Sequence, residues 1–185
     1  GAIAAFGGGI GCLQSVLRNR RGRVRIYENG LRVEKGGKVH AAAWDEISTL
    51  RESVEEIYFK GKYVYDRYNY TIEKSDGETF VLSNMISDIE RIGKIIKTKT
   101  LENLYLRATE KINGGGRVTF GALTIDKNGL GGTPWTELAS AKIEKGMIEV
   151  KDRSGKTAVS GAYGATPNAH LLLALLKDRL PLTER

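Results

Sequence analysis

The sequence predicts an α+β chain, mainly β, made of two tandem units in which a curved antiparallel sheet or partly open barrel is closed by a C-terminal helix. Three observations predict it. The phrase WDEI at 44–47 returns as WTEL at 135–138. Each copy is preceded by a strand, an Asn-Gly pair and a leucine: YENGL at 27–31 and DKNGL at 126–130. Each is followed by short strands with glycine turns and then by an apolar run of helical period. A sheet with one apolar face needs a cover, and a helix after the last strand supplies it.

From residue 23 the period is two. Val24 and Ile26 point one way, Arg23 and Arg25 the other. Asn29-Gly30 is expected to hold the two φ > 0 positions of a tight hairpin. KVHAAAWDEI then reads as a third strand ending on Trp44 and Ile47, and SVEEIYF, the turn KGK and YVYDRYNYTIEK as two more. In the last of these Tyr68, Tyr70 and Ile72 share one face, and Asn69, Thr71 and Glu73 the other. Asp76-Gly77 turns the chain into TFVLS.

Helical spacing follows. Ser87-Asp88-Ile89-Glu90 reads as a capping box opening a first helix with Ile86, Ile89, Ile92 and Ile96. A second helix carries Leu101, Leu104, Tyr105, Ala108 and Ile112, and glycines 114–116 stop it. In the second unit, Asn128-Gly129 repeats the hairpin signal in a shorter hairpin, and AKIEKGMIEVKDRSGKTAVS gives three strands with turns at Lys145-Gly146 and Ser154-Gly155. Thr166 as cap and Pro167 at the first position open the last helix, whose body is NAHLLLALLKDRL. The division expected is an N-terminal arm at 1–21, a first unit at 22–99, a connecting helix and glycine joint at 100–116, and a second unit at 117–185.

Composition narrows the function classes. The chain has 29 Lys and Arg against 22 Asp and Glu, a net +7. That surplus is spread thinly: 3 basic and 0 acidic residues over 1–21, 14 and 13 over 22–100, 12 and 9 over 101–185. No segment is basic enough for a nucleic-acid footprint, so none is expected as partner. The single cysteine, Cys12, excludes a disulfide framework and a CxxC zinc site and fits a reducing compartment. GAIAAFGGGIGCL at 1–13 is apolar and RNRRGR follows. Thirteen residues fall short of the ~20 needed to span a bilayer, and the charge follows the apolar run instead of preceding it as in a signal peptide. Two readings stand: the tail of a membrane helix with Arg18, Arg20 and Arg21 on its cytosolic side, or a short surface arm.

Catalytic patterns are thin. His40 sits inside a strand and His170 in the first turns of a helix, where a structural role is the ordinary reading; Asp45-Glu46 and Glu55-Glu56 diverge along strands. The glycine clusters at 7–11 and 114–116 lack the spacing of a phosphate loop. No enzymatic activity, metal or cofactor is expected. Trp44 and Trp135 read as core packing between sheet and helix. Tyr63, Tyr65, Tyr68 and Tyr70, interleaved with Lys60, Lys62 and Arg67, suit either a lipid interface or base stacking, against the plain reading of strands with half their rings buried.

Strands closed by one C-terminal helix, with tryptophan at a strand end, resemble the pleckstrin-homology (PH-like) superfold. The phrase YENGL…WDEI, the join KINGGGRVTFGALTIDKNGL…PWTEL and the segment ATPNAHLLLALL look like those of a family of mainly bacterial tandem PH-like proteins of unknown function, over about 22–182. The resemblance implies a binding or membrane-associated role and supplies no catalytic residues. Some PH domains hold phosphoinositides on basic residues of their first strands. Here that implies Arg23 and Arg25 on the first strand, Arg32 on the second, and Lys35 and Lys38 beside its Gly-Gly turn; Glu34 stands where the usual pattern has a last arginine. The expectation is a non-catalytic tandem module, cytoplasmic at the inner face of the plasma membrane, meeting anionic lipid or an unidentified protein, with the N-terminal arm as a membrane tether. The alternative is a soluble protein–protein scaffold that binds no lipid.

Overall fold

The computed structural model describes residues 15–19 and 22–184, with side chains from residue 22 to residue 183. Alternating apolar residues build a first sheet of β1 (Ser15–Asn19), β2 (Gly22–Tyr27), β3 (Gly30–Lys35) and β4 (Lys38–Ala43), in that order and antiparallel throughout. Ser15–Asn19, expected in the arm, is thus paired to β2. Val24, Ile26, Leu31 and Val33 face the core. A second sheet holds β5 (Ile47–Phe59), β6 (Lys62–Lys74) and β7 (Thr79–Ser83). Helix α1 (Ile89–Asn113) covers it.

The order then repeats. A small sheet of β8 (Val118–Phe120), β9 (Leu123–Ile125), β10 (Gly129–Leu130) and β11 (Thr133–Pro134) precedes a sheet of β12 (Leu138–Glu144), β13 (Met147–Asp152) and β14 (Thr157–Ala162), and α2 (Ala169–Lys177) covers it. A last strand, β15 (Leu182–Glu184), pairs in parallel with the free edge of β12. Among the described residues none of the sheets closes into a barrel, and the buried side chains form two hydrophobic cores, one over 24–96 and one over 104–180.

The duplication extends to single hydrogen bonds. Trp44 N–H donates to Asn29 O at 3.1 Å and Trp135 N–H to Asn128 O at 3.0 Å. The indole N–H donates to Glu28 O at 2.8 Å in the first half and to Asp126 O at 3.3 Å in the second. Ser75 N–H bonds Glu46 O and Arg153 N–H bonds Glu137 O. Both long sheets carry an irregularity just after the tryptophan phrase, between Ile47 and Thr49 and between Leu138 and Ser140. The tryptophan is buried or half-buried in each, so the repeated phrase ties the end of one sheet to the start of the next.

Several local expectations are corrected. Neither Asn-Gly pair adopts φ > 0. The first turn lies one residue earlier, on Glu28-Asn29, and Gly30 opens β3 opposite Tyr27. Glycine is needed there for space. A Cβ on Gly30 would lie 2.3 Å from Ala42 O, and one on Gly129 would lie 2.0 Å from Thr133 O. The third strand ends at Ala43, and residues 44–46 are turn. The two expected helices are one continuous helix of 25 residues. Its buried positions 96, 100, 104, 108 and 112 fall every four residues. Each such step rotates the stripe by about 40°, roughly 160° in all, so the helix shows one face to each core. No capping box forms at its start: Asp88 is the N-cap, left-handed at φ 54°, with no side-chain cap bond. Asn168, not Thr166, is the N-cap of α2, also left-handed at φ 53°; the Thr166 hydroxyl donates back to Ala162 O.

Gly30→Ala and Gly129→Ala should each cost about 2 kcal/mol, because backbone must move to admit the methyl. Gly36→Ala, at φ 58° with open space around it, should cost only about 1 kcal/mol. Denaturant midpoints at unchanged slope measure all three.

Candidate functional site

The basic residues assigned to lipid by resemblance do not form one cluster. Register places Arg23 opposite Glu34 and Arg25 opposite Arg32, so these four share the face turned away from the core. Glu34 sits among the arginines, 3.3 Å from Arg32 and 3.8 Å from Arg25. Lys35 and Lys38 pair with each other on the opposite face, and Lys35 Nζ donates to Val81 O at 3.4 Å. By register Arg18 on β1 stands opposite Arg23. Arg20, Arg21 and the apolar run 1–13 lie outside the described residues. Among the described residues no helix is long and apolar enough to cross a membrane, and no group of three His, Cys, Asp or Glu could hold a metal ion.

A second surface is built by the hairpin β5–β6. Each strand has 13 residues, but β7 pairs only with Asn69–Glu73 of β6, so the ribbon runs on beyond the sheet. The Asn84 side chain supports its root, accepting from Tyr68 N–H at 2.6 Å and donating to Asp66 O at 2.8 Å. At the tip Lys60 and Gly61 take φ of 49° and 78°, the paired positive values of a tight two-residue turn. Phe59 is 66 % exposed and Tyr58 56 %, and Tyr63, Val64 and Tyr65 are exposed beside them. Tyr58 and Tyr63 meet edge to face at 6.1 Å, and Lys60 Nζ lies 5.5 Å from the Phe59 ring centre. Residues 57–65 thus hold six large apolar or aromatic side chains and two lysines, with no carboxylate. Glu56 opposite Asp66, and Glu55 opposite Arg67, begin the stem. The sequence singled out Tyr63, Tyr65 and the lysines; the structure adds Tyr58, Phe59 and Val64.

A third cluster joins the two halves, and sequence reasoning did not find it. The Glu52 carboxylate, on β5, accepts from Tyr70 at 2.9 Å, from Lys97 at 2.9 and 2.7 Å, and from Tyr163 of the second half at 3.0 Å. Gly93 makes this reach possible, since a Cβ there would lie 1.9 Å from Tyr70 Cζ. Burial and the Glu52 charge raise the Tyr70 hydroxyl far above the ordinary phenol range. Beside them Asn168 clasps the edge of β5. Its N–H donates to Leu50 O at 2.8 Å, its Oδ1 accepts from Leu50 N–H at 2.8 Å, and its Nδ2 donates to Ser48 O at 2.9 Å. His170 Nε2 lies 3.4 Å from Thr100 Oγ1, whose own proton goes to Ile96 O at 2.8 Å, so the imidazole is the donor of that pair. Burial first, and Lys97 second, hold His170 down at about 4. A groove of about 340 Å³ between α1 and α2, lined by Lys97, Leu101, Tyr163, His170 and Lys177 among others, opens over this network. Four bonds on one carboxylate make it an anchor for the joint.

Glu52→Ala should destabilise the chain by about 3 kcal/mol, because Lys97 and two phenols lose their acceptor in a place only partly open to water. The expected readout is a lowered denaturant midpoint with early loss of amide protection at Leu50. The folded His170 takes a proton only near pH 4, whereas the unfolded one does so near 6.5. Stability from this residue is therefore complete above pH 6.5 and declines as pH falls toward 4, by about 3 kcal/mol. Parallel denaturation series of the parent and His170→Gln check this, and the variant should lack the loss between pH 6.5 and 4.5.

A comparison with curated proteins found no match. A family model does match, over residues 2–183, and so includes both tryptophan phrases, the hairpin and the joint. The chain accordingly belongs to the family of unknown function DUF6585.

Proposed function

We propose that this chain is a non-catalytic tandem PH-like interaction module that works at the cytosolic face of a membrane, touching anionic lipid with the tip of the β5–β6 hairpin. The observation that carries the reading is the composition and exposure of residues 57–65. Exposed aromatic rings beside lysines suit the headgroup level of a bilayer, where a ring is half in and half out of water and a cation meets phosphate. A contiguous exposed apolar tip on a rigid ribbon marks an interaction surface. The stem acids favour a shallow seat, since Glu56 and Asp66, opposite one another, would be repelled by anionic headgroups. The arginines of β2 and β3 are weaker candidates for specific headgroup recognition because Glu34 already offsets two of them. The repeated order along the chain of four strands, three strands and a helix supports the PH-like assignment of each half.

Co-sedimentation of the full chain with vesicles tests the reading. Binding should be stronger on vesicles containing phosphatidylserine than on phosphatidylcholine alone and should weaken with salt. Phe59→Ser with Tyr63→Ser should reduce it at least tenfold. Lys60→Glu with Lys62→Glu should abolish the preference for anionic lipid, each lysine being worth about 1 kcal/mol near such a surface. Arg23→Glu with Arg25→Glu should change it little. Binding untouched by the tip variants would overturn the proposal, and no vesicle binding at all would favour the soluble scaffold.

A further inference from the structure

The groove above the Glu52 network has a direction. Thr100 of α1 meets His170 of α2, and further along the Tyr105 hydroxyl donates to Asp178, so the two helices run the same way along its walls. Seven positions separate His170 from Lys177, about 10 Å of helix. Between those two the walls are apolar, with Leu101 from α1, Leu173 and Ala174 from α2, and Leu182 from β15. All four are only half-buried, whereas Leu172, Leu175 and Leu176 of the same helix are fully buried in the second core. Helix α2 is thus apolar on a side that its core does not use. The two ends of the groove differ in charge. At the inner end Lys97 is spent on Glu52, and the Tyr163 hydroxyl donates to the same carboxylate. His170 gives its Nε2 proton to Thr100, which leaves Nδ1 as an acceptor. An anion at this end would face the Glu52 charge behind Lys97 and an imidazole with no second proton. At the outer end stands Lys177, whose charge no ion pair offsets among the described residues. No Asp or Glu is among the described residues that line the groove.

We propose that this groove binds a small amphiphilic monoanion, an unbranched monocarboxylate of medium chain length, with its carboxylate at Lys177 and its chain along Leu101, Leu173 and Ala174 toward His170. A volume of about 340 Å³ lies at the small end of ligand sites, which suits one chain and not a two-chain lipid. One unspent cation matches one negative charge; a phosphate monoester would bring a second charge with no partner. The imidazole is held neutral by burial, so the far end of the chain can lie against it without stripping water from a charge. Because the walls come from both α1 and α2, the ligand ties the two helices together, and its binding stabilises the joint by mass action. The site lies apart from the hairpin tip and does not depend on the membrane reading.

Titration of the full chain with decanoate, below the concentration at which it forms micelles, tests the proposal. Amide shifts in proton–nitrogen spectra locate the site, and calorimetry gives the affinity. The expected result is saturable 1:1 binding with Kd below about 1 mM, with the largest shifts at Leu101, Leu173, Ala174 and Lys177. Decanol and decyltrimethylammonium, matched in chain and lacking the negative charge, should bind at least about tenfold more weakly. Lys177→Glu should weaken decanoate by a similar factor, since repulsion replaces attraction at an exposed position. Ala174→Phe should abolish binding by filling the groove, with circular dichroism confirming that both variants fold. Phe59→Ser with Tyr63→Ser should leave decanoate binding unchanged, so this site and the vesicle contact stand or fall separately. Three results overturn the proposal: no shift at the groove amides of the folded chain, decanol bound as tightly as decanoate, or decanoate affinity untouched by Lys177→Glu.

Discussion

The edge of β5 imposes the condition that organises the joint. A strand with one face in a core and one edge unpaired presents N–H and C=O groups that must find partners. Leu50 is one such residue, buried in the side chain and outward in its peptide groups. Asn168 meets it with a backbone N–H, a side-chain oxygen and a side-chain N–H, and so imitates a strand residue from the entry turn of a helix. The Asn168 side chain points to β5 instead of capping its own helix, from a left-handed backbone that Asp88 shares at the start of α1. Glu52, two residues along the same strand, fastens the same joint by ion pair and hydrogen bonds.

Helix α1 is the other half of this arrangement. Ile89, Ile92 and Ile96 belong to the first core, and Leu104, Ala108 and Ile112 to the second. The division between the two cores thus falls within a helix, at fully buried Thr100, whose hydroxyl is satisfied by Ile96 O. A helix that crosses between cores resists bending, and the clasp on β5 adds a second attachment. Two attachments fix an orientation where one leaves a hinge. Rigidity matters for a projecting ribbon, since a contact made at its tip is useful only if its root is held.

Much of the fold was legible in the sequence because the relevant signals are local. Alternation in 23–26, the Lys60-Gly61 and Asp76-Gly77 turns and the apolar stripes of the helices all depend on near neighbours. The errors share one cause, which is that a distant partner set the local geometry. Asn-Gly at 29–30 has the composition of a φ > 0 turn, yet Gly30 is selected by the backbone of β4 passing over it. Ser87 to Glu90 has the spacing of a capping box, yet the chain enters both helices through a left-handed residue. The joint was out of reach for the same reason: Tyr163 is 111 positions from Glu52 and Asn168 is 118 from Leu50. The hairpin was nearer to hand. Trp44 to Gly77 spans 33 positions and Trp135 to Gly155 only 20, and that surplus, once the repeat is aligned, is the projecting ribbon.

That surplus separates what the two halves do. Material common to both, the tryptophan tie, the glycine under the neighbouring strand and the irregularity after the phrase, is accounted for by the needs of folding. The long ribbon belongs to the first half alone, and its tip buries almost nothing. Exposed aromatic side chains on a two-stranded ribbon do little for stability and add a risk of aggregation. The needs of folding do not account for this tip, and it is the surface that the proposal above assigns to contact with a membrane. The second half, by contrast, contributes Tyr163, Asn168 and His170 to the joint. These contacts hold the first half, and the ribbon with it, in one orientation.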